Sequence, residues 1–257
     1  MTTRISANLK GKRALVTGGG AGIGLAAVKM LALHGAQVAI NDLPGSKTLT
    51  GTVEQLRNQG LDVIAAPGDV ADDAQVRAMV DAAVQAMGGL DYLVNNAATP
   101  GTREAIATGD LEGQDDAFWS KLLSVNLIGP YRCVRAAAPH LRASRGAVVN
   151  VASTAGLGAG GSSSAYASSK AGLILLTREL AKGMGPDVRV NAVAPGWVGG
   201  TEWMCQWDGA DAQAAIQQLP LQRLGMPDDF AEAIFFLCVA GHYVTGHTLV
   251  VDGGLTA

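Results

Sequence analysis

Tyr166 and Lys170 stand four residues apart, with Ser153 thirteen residues upstream of the tyrosine and Asn126 further back. On a helix this spacing puts a phenol and an ammonium on one face, one turn apart. An unperturbed phenol titrates near pH 10 and is a poor base at neutral pH. A fixed cation beside it favours the phenolate, and a pKa of about 7 requires roughly 4 kcal/mol of differential stabilisation. Lys170, helped by a second positive charge from a bound cofactor, can supply that. Tyr166 is therefore expected to have a lowered pKa and to exchange a proton with a substrate oxygen. By itself the pair fits equally well a half-buried helix tyrosine beside a solvated lysine. Its meaning rests on whether the chain builds a cofactor site next to it.

The elements that must position these residues alternate along all 257 residues. Short runs rich in Val, Ile and Leu at 13–17, 37–42, 62–66, 92–95, 147–152, 189–193 and 248–251 have the pattern of buried strands. Amphipathic segments at about 23–34, 47–59, 72–87, 115–143, 165–184 and 227–240 lie between them. Such βαβ alternation calls for a parallel sheet with helices on both faces, joined by right-handed crossovers. The expectation is an α/β fold: one Rossmann-like, doubly wound domain over 1–257 with about seven parallel strands. Two polar or Trp-bearing segments, 99–113 and 197–219, leave the carboxyl ends of strands, where ligands bind in open α/β sheets. They are expected to be substrate loops.

Strand one runs into Thr17-Gly18-Gly19-Gly20-Ala21-Gly22-Ile23-Gly24 and then a helical pattern. A glycine-rich strand-to-helix turn lets backbone amides approach a pyrophosphate at the helix N-terminus. No Gly-Lys-Ser/Thr follows, so this is not a P-loop. Strand two ends at Asp42, whose carboxylate can accept from both ribose hydroxyls of an adenosine. It would repel a 2′-phosphate, no Arg or Lys adjoins it, and Gly19 supplies no cation. NAD is therefore expected over NADP, unless Asp42 merely opens the solvated turn Asp42-Leu43-Pro44-Gly45.

Over residues 12–254 the chain resembles the short-chain dehydrogenase/reductase family. Gly18, Gly22, Ile23 and Gly24 match its cofactor turn, and Asp69-Val70 resembles the pair whose Asp contacts the adenine amino group. Asn95-Asn96-Ala97-Ala98 is similar to its Asn-Asn-Ala-Gly, with Ala98 replacing the glycine. Pro195-Gly196 matches the pair after the sixth strand. The family often has a Thr at the position of Gly200, one residue before Thr201, while Val198 keeps a backbone that can bind the nicotinamide carboxamide. The resemblance implies Tyr166 as general base, assisted by Lys170, which also binds the nicotinamide ribose. It further implies that Ser153 orients the substrate oxygen and that Asn126 holds a water linking Lys170 to solvent. The cofactor-binding set is then Gly18, Gly22, Ile23, Gly24, Asp42, Asp69, Val70, Asn96, Ala97, Tyr166, Lys170, Pro195, Gly196 and Val198.

The expected activity is NAD-dependent interconversion of a secondary alcohol and a ketone. Reduction of a 3-oxoacyl thioester stays open, although Asp42 and the lack of a basic carrier-docking patch speak against it. A nucleotide-sensing protein on this fold would not need the whole set Asn126, Ser153, Tyr166 and Lys170. Trp203 and Trp207, four apart and near Trp197, fit an apolar lid over the substrate or plain packing. The resemblance implies a homotetramer, with the apolar stretch 231–237 as one candidate contact.

A net charge of −3 and basic runs no longer than two residues give no footprint for nucleic acid. No apolar stretch approaches the ~18 residues of a membrane span. Cys133, Cys205 and Cys238 are an odd, scattered set without metal-ligand spacing, as expected of reduced thiols in a cytoplasmic protein. His34, His140, His242 and His247 are likewise not spaced as ligands, and no metal site is expected.

Overall fold

A computed structural model describes residues 7–200 and 209–257. Seven strands, β1 (Arg13–Val16), β2 (Gln37–Asp42), β3 (Val63–Pro67), β4 (Tyr92–Asn95), β5 (Ala147–Val151), β6 (Arg189–Pro195) and β7 (Thr248–Val251), form one sheet in the order β3-β2-β1-β4-β5-β6-β7. Every neighbouring pair is parallel. The helices are α1 (Gly22–Leu33), α2 (Lys47–Asn58), α3 (Asp73–Met87), α4 (Asp116–Leu123), α5 (Gly129–Ser144), α6 (Ser164–Met184), α7 (Gly209–Gln218) and α8 (Pro227–Val239).

The period-two alternation of β1 divides the core. Ala14 and Val16 point into a cluster with Val28 and Leu31 of α1, Val53 of α2 and Phe235 of α8. Leu15 points the other way, among Val80 of α3, Val134 and Leu141 of α5 and Met184 of α6. Burial on both faces explains why the strands are continuous apolar runs, each fully buried Leu or Val contributing about 1.5–3 kcal/mol. The chain leaves β3, crosses back over β2 and β1, and enters β4. The sheet therefore changes direction between β1 and β4, and the crevice for a ligand opens at their carboxyl ends.

Four local differences from the expected elements stand out. The helix expected over 115–143 is α4 and α5 joined by one π turn, Ser124–Ile128. A 3₁₀ turn, Thr154–Leu157, follows β5. β6 runs on to Pro195, because its last residues still pair with Val250 and Val251 of β7. The segment expected as a loop over 197–219 contains α7. Thr201, Trp203, Cys205 and Trp207 lie outside the described residues. Among those described, no helix is long and apolar enough to cross a membrane.

Candidate active site

The glycine turn is shaped by what it cannot hold. A Cβ on Gly24 would overlap the Gly18 carbonyl oxygen, and one on Gly18 would come within 2.9 Å of the Ala97 Cα. Gly18 and Gly22 also have positive φ, 60° and 52°, a region that L side chains enter at a cost. Most of the other helices that shape the site carry a polar N-cap: Ser46 on α2, Asp72 on α3, Asp115 on α4 and Ser163 on α6. The N-cap of α1, Ala21, has no such group, and its first turn carries no acid. The first amides of α1 and the positive end of its dipole are thus left for an anion. These residues fit the pyrophosphate of a dinucleotide.

The turn is fixed from β4. The Thr17 hydroxyl accepts from the backbone N–H of Asn96 and of Ala97, both at 3.0 Å. The Asn96 amide donates to the carbonyls of Thr17 at 3.1 Å and Gly18 at 2.9 Å. Asn96 and Ala97, expected among the cofactor residues, thereby bind the glycine turn itself. From the other side the Gly19 N–H donates to the Asn41 carbonyl at 2.9 Å. The buried Asn41 amide donates to the carbonyls of Ala66 and Gly68, at 3.0 and 2.9 Å.

That lacing brings Asp42 and Asp69 to one edge of the crevice. Asp42 is the last residue of β2. Asp69 lies between β3 and α3, and its carboxylate accepts from the Ala71 N–H at 2.8 Å. Val70 is buried beside Gly129, where an added Cβ would come within 3.2 Å of it. Arg132 of α5 donates to the Ala71 carbonyl at 2.8 Å and holds this loop in place. At the far side, the Gly196 N–H donates to the Val251 carbonyl at 3.0 Å, and Val198 bridges to Gly225.

Ser153, Tyr166 and Lys170 meet where α6 crosses the end of β5. Ser153 has extended backbone after β5, and its Oγ accepts from the Ala155 N–H at 3.1 Å. Its hydroxyl is hydrogen-bonded to the Tyr166 phenol. The Ser163 hydroxyl accepts from the Tyr166 N–H at 3.0 Å and so fixes where α6 starts. Lys170, one turn on, is only 2% exposed. Its Nζ donates to the Val151 carbonyl at 2.8 Å and lies 5.8 Å from the centre of the Tyr166 ring.

Among the protein's own groups, burial runs against the expected lowering of the tyrosine. Burial pushes the Tyr166 phenol up to about 12, with the Ser153 hydrogen bond pulling the other way. Burial pulls Lys170 down to about 7. The reason is common to both: each charged form loses its water inside the protein. Spacing at i, i+4 gives proximity but not the sign of the shift. At neutral pH the phenol holds its proton, and the lysine is poised to gain or lose one.

Asn126 lies in the π turn and is fully buried. Its Oδ1 accepts from the Thr99 N–H at 2.9 Å. Its Nδ2 donates to the Thr99 carbonyl at 3.0 Å and to Ser169 Oγ at 3.1 Å. Asn126 thus joins the segment after β4 to the helix that carries Tyr166. That same segment also meets α6 and the residues just before it. Ser162 Oγ donates to the Pro100 carbonyl at 3.1 Å, and Gln114 Oε1 accepts from the Ala165 N–H at 3.1 Å. Asn41, Thr99, Gln114, Ser163 and Ser169 are supporting residues that reading the sequence missed. Only Ser163, three before Tyr166, carries a helix-cap signature; the others act across the fold.

Known proteins align along nearly the whole chain. A family model described as Enoyl-(Acyl carrier protein) reductase matches residues 18–256. A Streptomyces violaceoruber protein named as a ketoacyl reductase of the granaticin polyketide synthase is 42% identical over 244 residues, 94% of each chain. The 2-(S)-hydroxypropyl-CoM dehydrogenase 3 of Xanthobacter autotrophicus is 36% identical, over 98% of this chain and 100% of its own. A solved structure, a short chain dehydrogenase from Burkholderia cenocepacia in complex with NADP, superposes with a TM-score of 0.86 at 37% identity, covering 98% of this chain and 100% of its own.

Proposed function

The chain belongs to the short-chain dehydrogenase/reductase family, and on that premise we propose that it interconverts a secondary alcohol and a ketone with NAD(H). One observation carries this reading: the Ser153 hydroxyl bonds the Tyr166 phenol, with Lys170 buried behind them. A substrate oxygen placed against both hydroxyls would be oriented by one and protonated by the other.

The glycine turn and the α1 N-terminus would hold the pyrophosphate, Asp42 the adenosine ribose, and Asp69 with Val70 the adenine. Pro195, Gly196 and Val198 would border the nicotinamide, and Lys170 would bind its ribose. The nicotinamide supplies hydride exchange with the substrate carbon. In reduction Tyr166 gives its proton to the carbonyl oxygen, and Ser153 stabilises the charge that develops there. In oxidation the same phenolic oxygen takes up the hydroxyl proton. Lys170, held near 7 by burial, can return or remove that proton at neutral pH. Both Asn126 N–H donors are engaged, so a water linking Lys170 to solvent would be held through the acceptor oxygens of Asn126.

NAD is favoured because a carboxylate at Asp42 suits a ribose diol and repels a 2′-phosphate. The NADP of the Burkholderia cenocepacia relative makes this choice the first to test. Reduction of a 3-oxoacyl thioester is the second reading, favoured by the relative named as a ketoacyl reductase. The segment before α4 weighs against it. Glu104, Asp110, Glu112, Asp115 and Asp116 are exposed there, with Arg103 as the one cation among them, and they would repel an anionic carrier. A homotetramer is supported by exposed apolar side chains on α5 and α6, Tyr131 and Leu175. A cytoplasmic location is supported by the free buried thiols Cys133 and Cys238.

The deciding experiment follows NADH absorbance across cyclic, aromatic, sugar and hydroxyacyl alcohols and the matching ketones. Turnover of a neutral secondary alcohol or ketone is expected. Turnover of acyl thioesters alone would establish the second reading, and none with any carbonyl would overturn both.

A further inference from the structure

Asp42 is not a free surface carboxylate. Its Oδ1 accepts from the Leu43 N–H at 2.8 Å, and its Oδ2 accepts from the Ser46 hydroxyl at 3.1 Å. Ser46 Oγ in turn accepts from the Leu49 N–H at 3.2 Å and caps α2. A Cβ on Gly20 would stand 2.8 Å from Asp42 Oδ2, so this oxygen faces the glycine turn. α2 grips that turn at a second point, where the buried Thr52 hydroxyl donates to the Gly20 carbonyl at 3.2 Å.

We infer that Ser46 is a positioning residue for cofactor choice, fixing the Asp42 carboxylate against Gly20 so that it accepts a ribose diol and excludes a 2′-phosphate. The inference rests on the reading of Asp42 as the ribose acceptor. A carboxylate has about four acceptor sites; Leu43 and Ser46 take two and leave two for the two hydroxyls. An unrestrained aspartate would lose rotamer freedom on binding the diol and could swing aside for a phosphate. Held by Ser46, it has already lost that freedom, and α2 carries the geometry because its own first turn depends on the same hydroxyl.

The test measures NADH and NADPH dissociation constants by fluorescence titration for the unaltered protein, Asp42→Ala, Ser46→Gly and Ser46→Thr. Glycine keeps most of the capping preference at an N-cap, within a few tenths of a kcal/mol, so Ser46→Gly removes the contact with Asp42 while sparing α2. The expected result is a preference for NADH that Asp42→Ala abolishes. Ser46→Gly should narrow it by roughly tenfold, the scale of one hydrogen bond to a charged group, and Ser46→Thr should retain it. A Ser46→Gly protein that keeps the full preference, or weakens both cofactors equally, overturns the role of Ser46 and leaves that of Asp42 standing. An unaltered protein that does not prefer NADH overturns the reading of Asp42, and the role of Ser46 falls with it.

Discussion

The Lys170 ammonium donates to the Val151 carbonyl at 2.8 Å and stands 5.8 Å from the centre of the Tyr166 ring. The last residue of β5 thus anchors the cation that serves a phenol on α6. This contact fixes the lysine deep in the protein, where burial holds it near 7 while it holds the tyrosine near 12. In the proposed reading the pair donates a proton at neutral pH, with the lysine as the exchanging partner.

Tyr166→Phe removes the proton donor and keeps the ring. Steady-state turnover should fall by about 10²–10⁴-fold, the usual weight of general acid–base catalysis. NADH affinity should stay within about twofold of the parent in a fluorescence titration. A variant that remains fully active would show that another group moves the proton.

Reduction and oxidation should respond oppositely to pH. With the phenol pushed up to about 12, the acid form needed for reduction is fully present at neutral pH, so kcat/KM for the ketone should be flat from about pH 6 to 9. Oxidation needs the phenolate and should accelerate as pH rises. A reduction profile that collapses above about pH 7 would place the titrating acid elsewhere.

Lys170→Met should stabilise the protein as it disables it. The folded-state pKa of Lys170, about 7, lies below its ordinary value of 10.5. Below about pH 7 the ammonium is buried at full cost. Between the two values the unfolded chain holds more protons than the folded one, so the cost fades and stability rises with pH. The variant's gain in Tm over the parent should therefore be largest near pH 6 and smaller near pH 9. A gain that is constant with pH would show that Lys170 is not charged at a cost in the folded state.

Gly24→Ala tests the cofactor cradle. The added methyl would overlap the Gly18 carbonyl and press on the Asn96 amide, and overpacking of this kind costs about 1–3 kcal/mol. Thermal denaturation should report the lost stability, and NADH binding should weaken more than the loss of folded protein explains. Unchanged affinity would place the pyrophosphate away from this turn.

Asn126→Ala would leave the Thr99 N–H and carbonyl without their partner and take one of the two hydrogen bonds of Ser169 Oγ. A polar group left unpaired away from water costs about 1–3 kcal/mol, and the Thr99 pair is part-buried. A clear fall in Tm is expected, together with faster amide exchange at Thr99. Exchange at Thr99 equal to the parent's would deny Asn126 its bracing role.

Much of this site is legible locally. The run Gly18 to Gly24 announces a backbone that must approach something closely, and Tyr166 with Lys170 announces one helix face. Other relations are silent in the chain. Asn96 reaches Thr17 and Gly18 from the end of β4, and Asn41 reaches Gly19, Ala66 and Gly68 from β2, by hydrogen bonds made only across the sheet. The π turn at Ser124–Ile128 hides inside an uninterrupted helical pattern, because one extra residue in a turn leaves the hydrophobic period almost unchanged. α7 is hidden for a different reason: its sequence, with Ile216 as its one large apolar residue, carries little helical period and reads as loop.

The sequence by itself determined the parallel α/β sheet and the glycine turn and placed Tyr166 and Lys170 on one helix face, since periodicity, backbone sterics and i, i+4 spacing are all local properties. Tertiary structure decided the burial that pushes Tyr166 up and Lys170 down, and the restraint on Asp42. Those depend on how much water packing removes and on which distant hydroxyl or carbonyl it brings within reach: Ser153 and Val151 for the first pair, Ser46 and the glycine turn for Asp42.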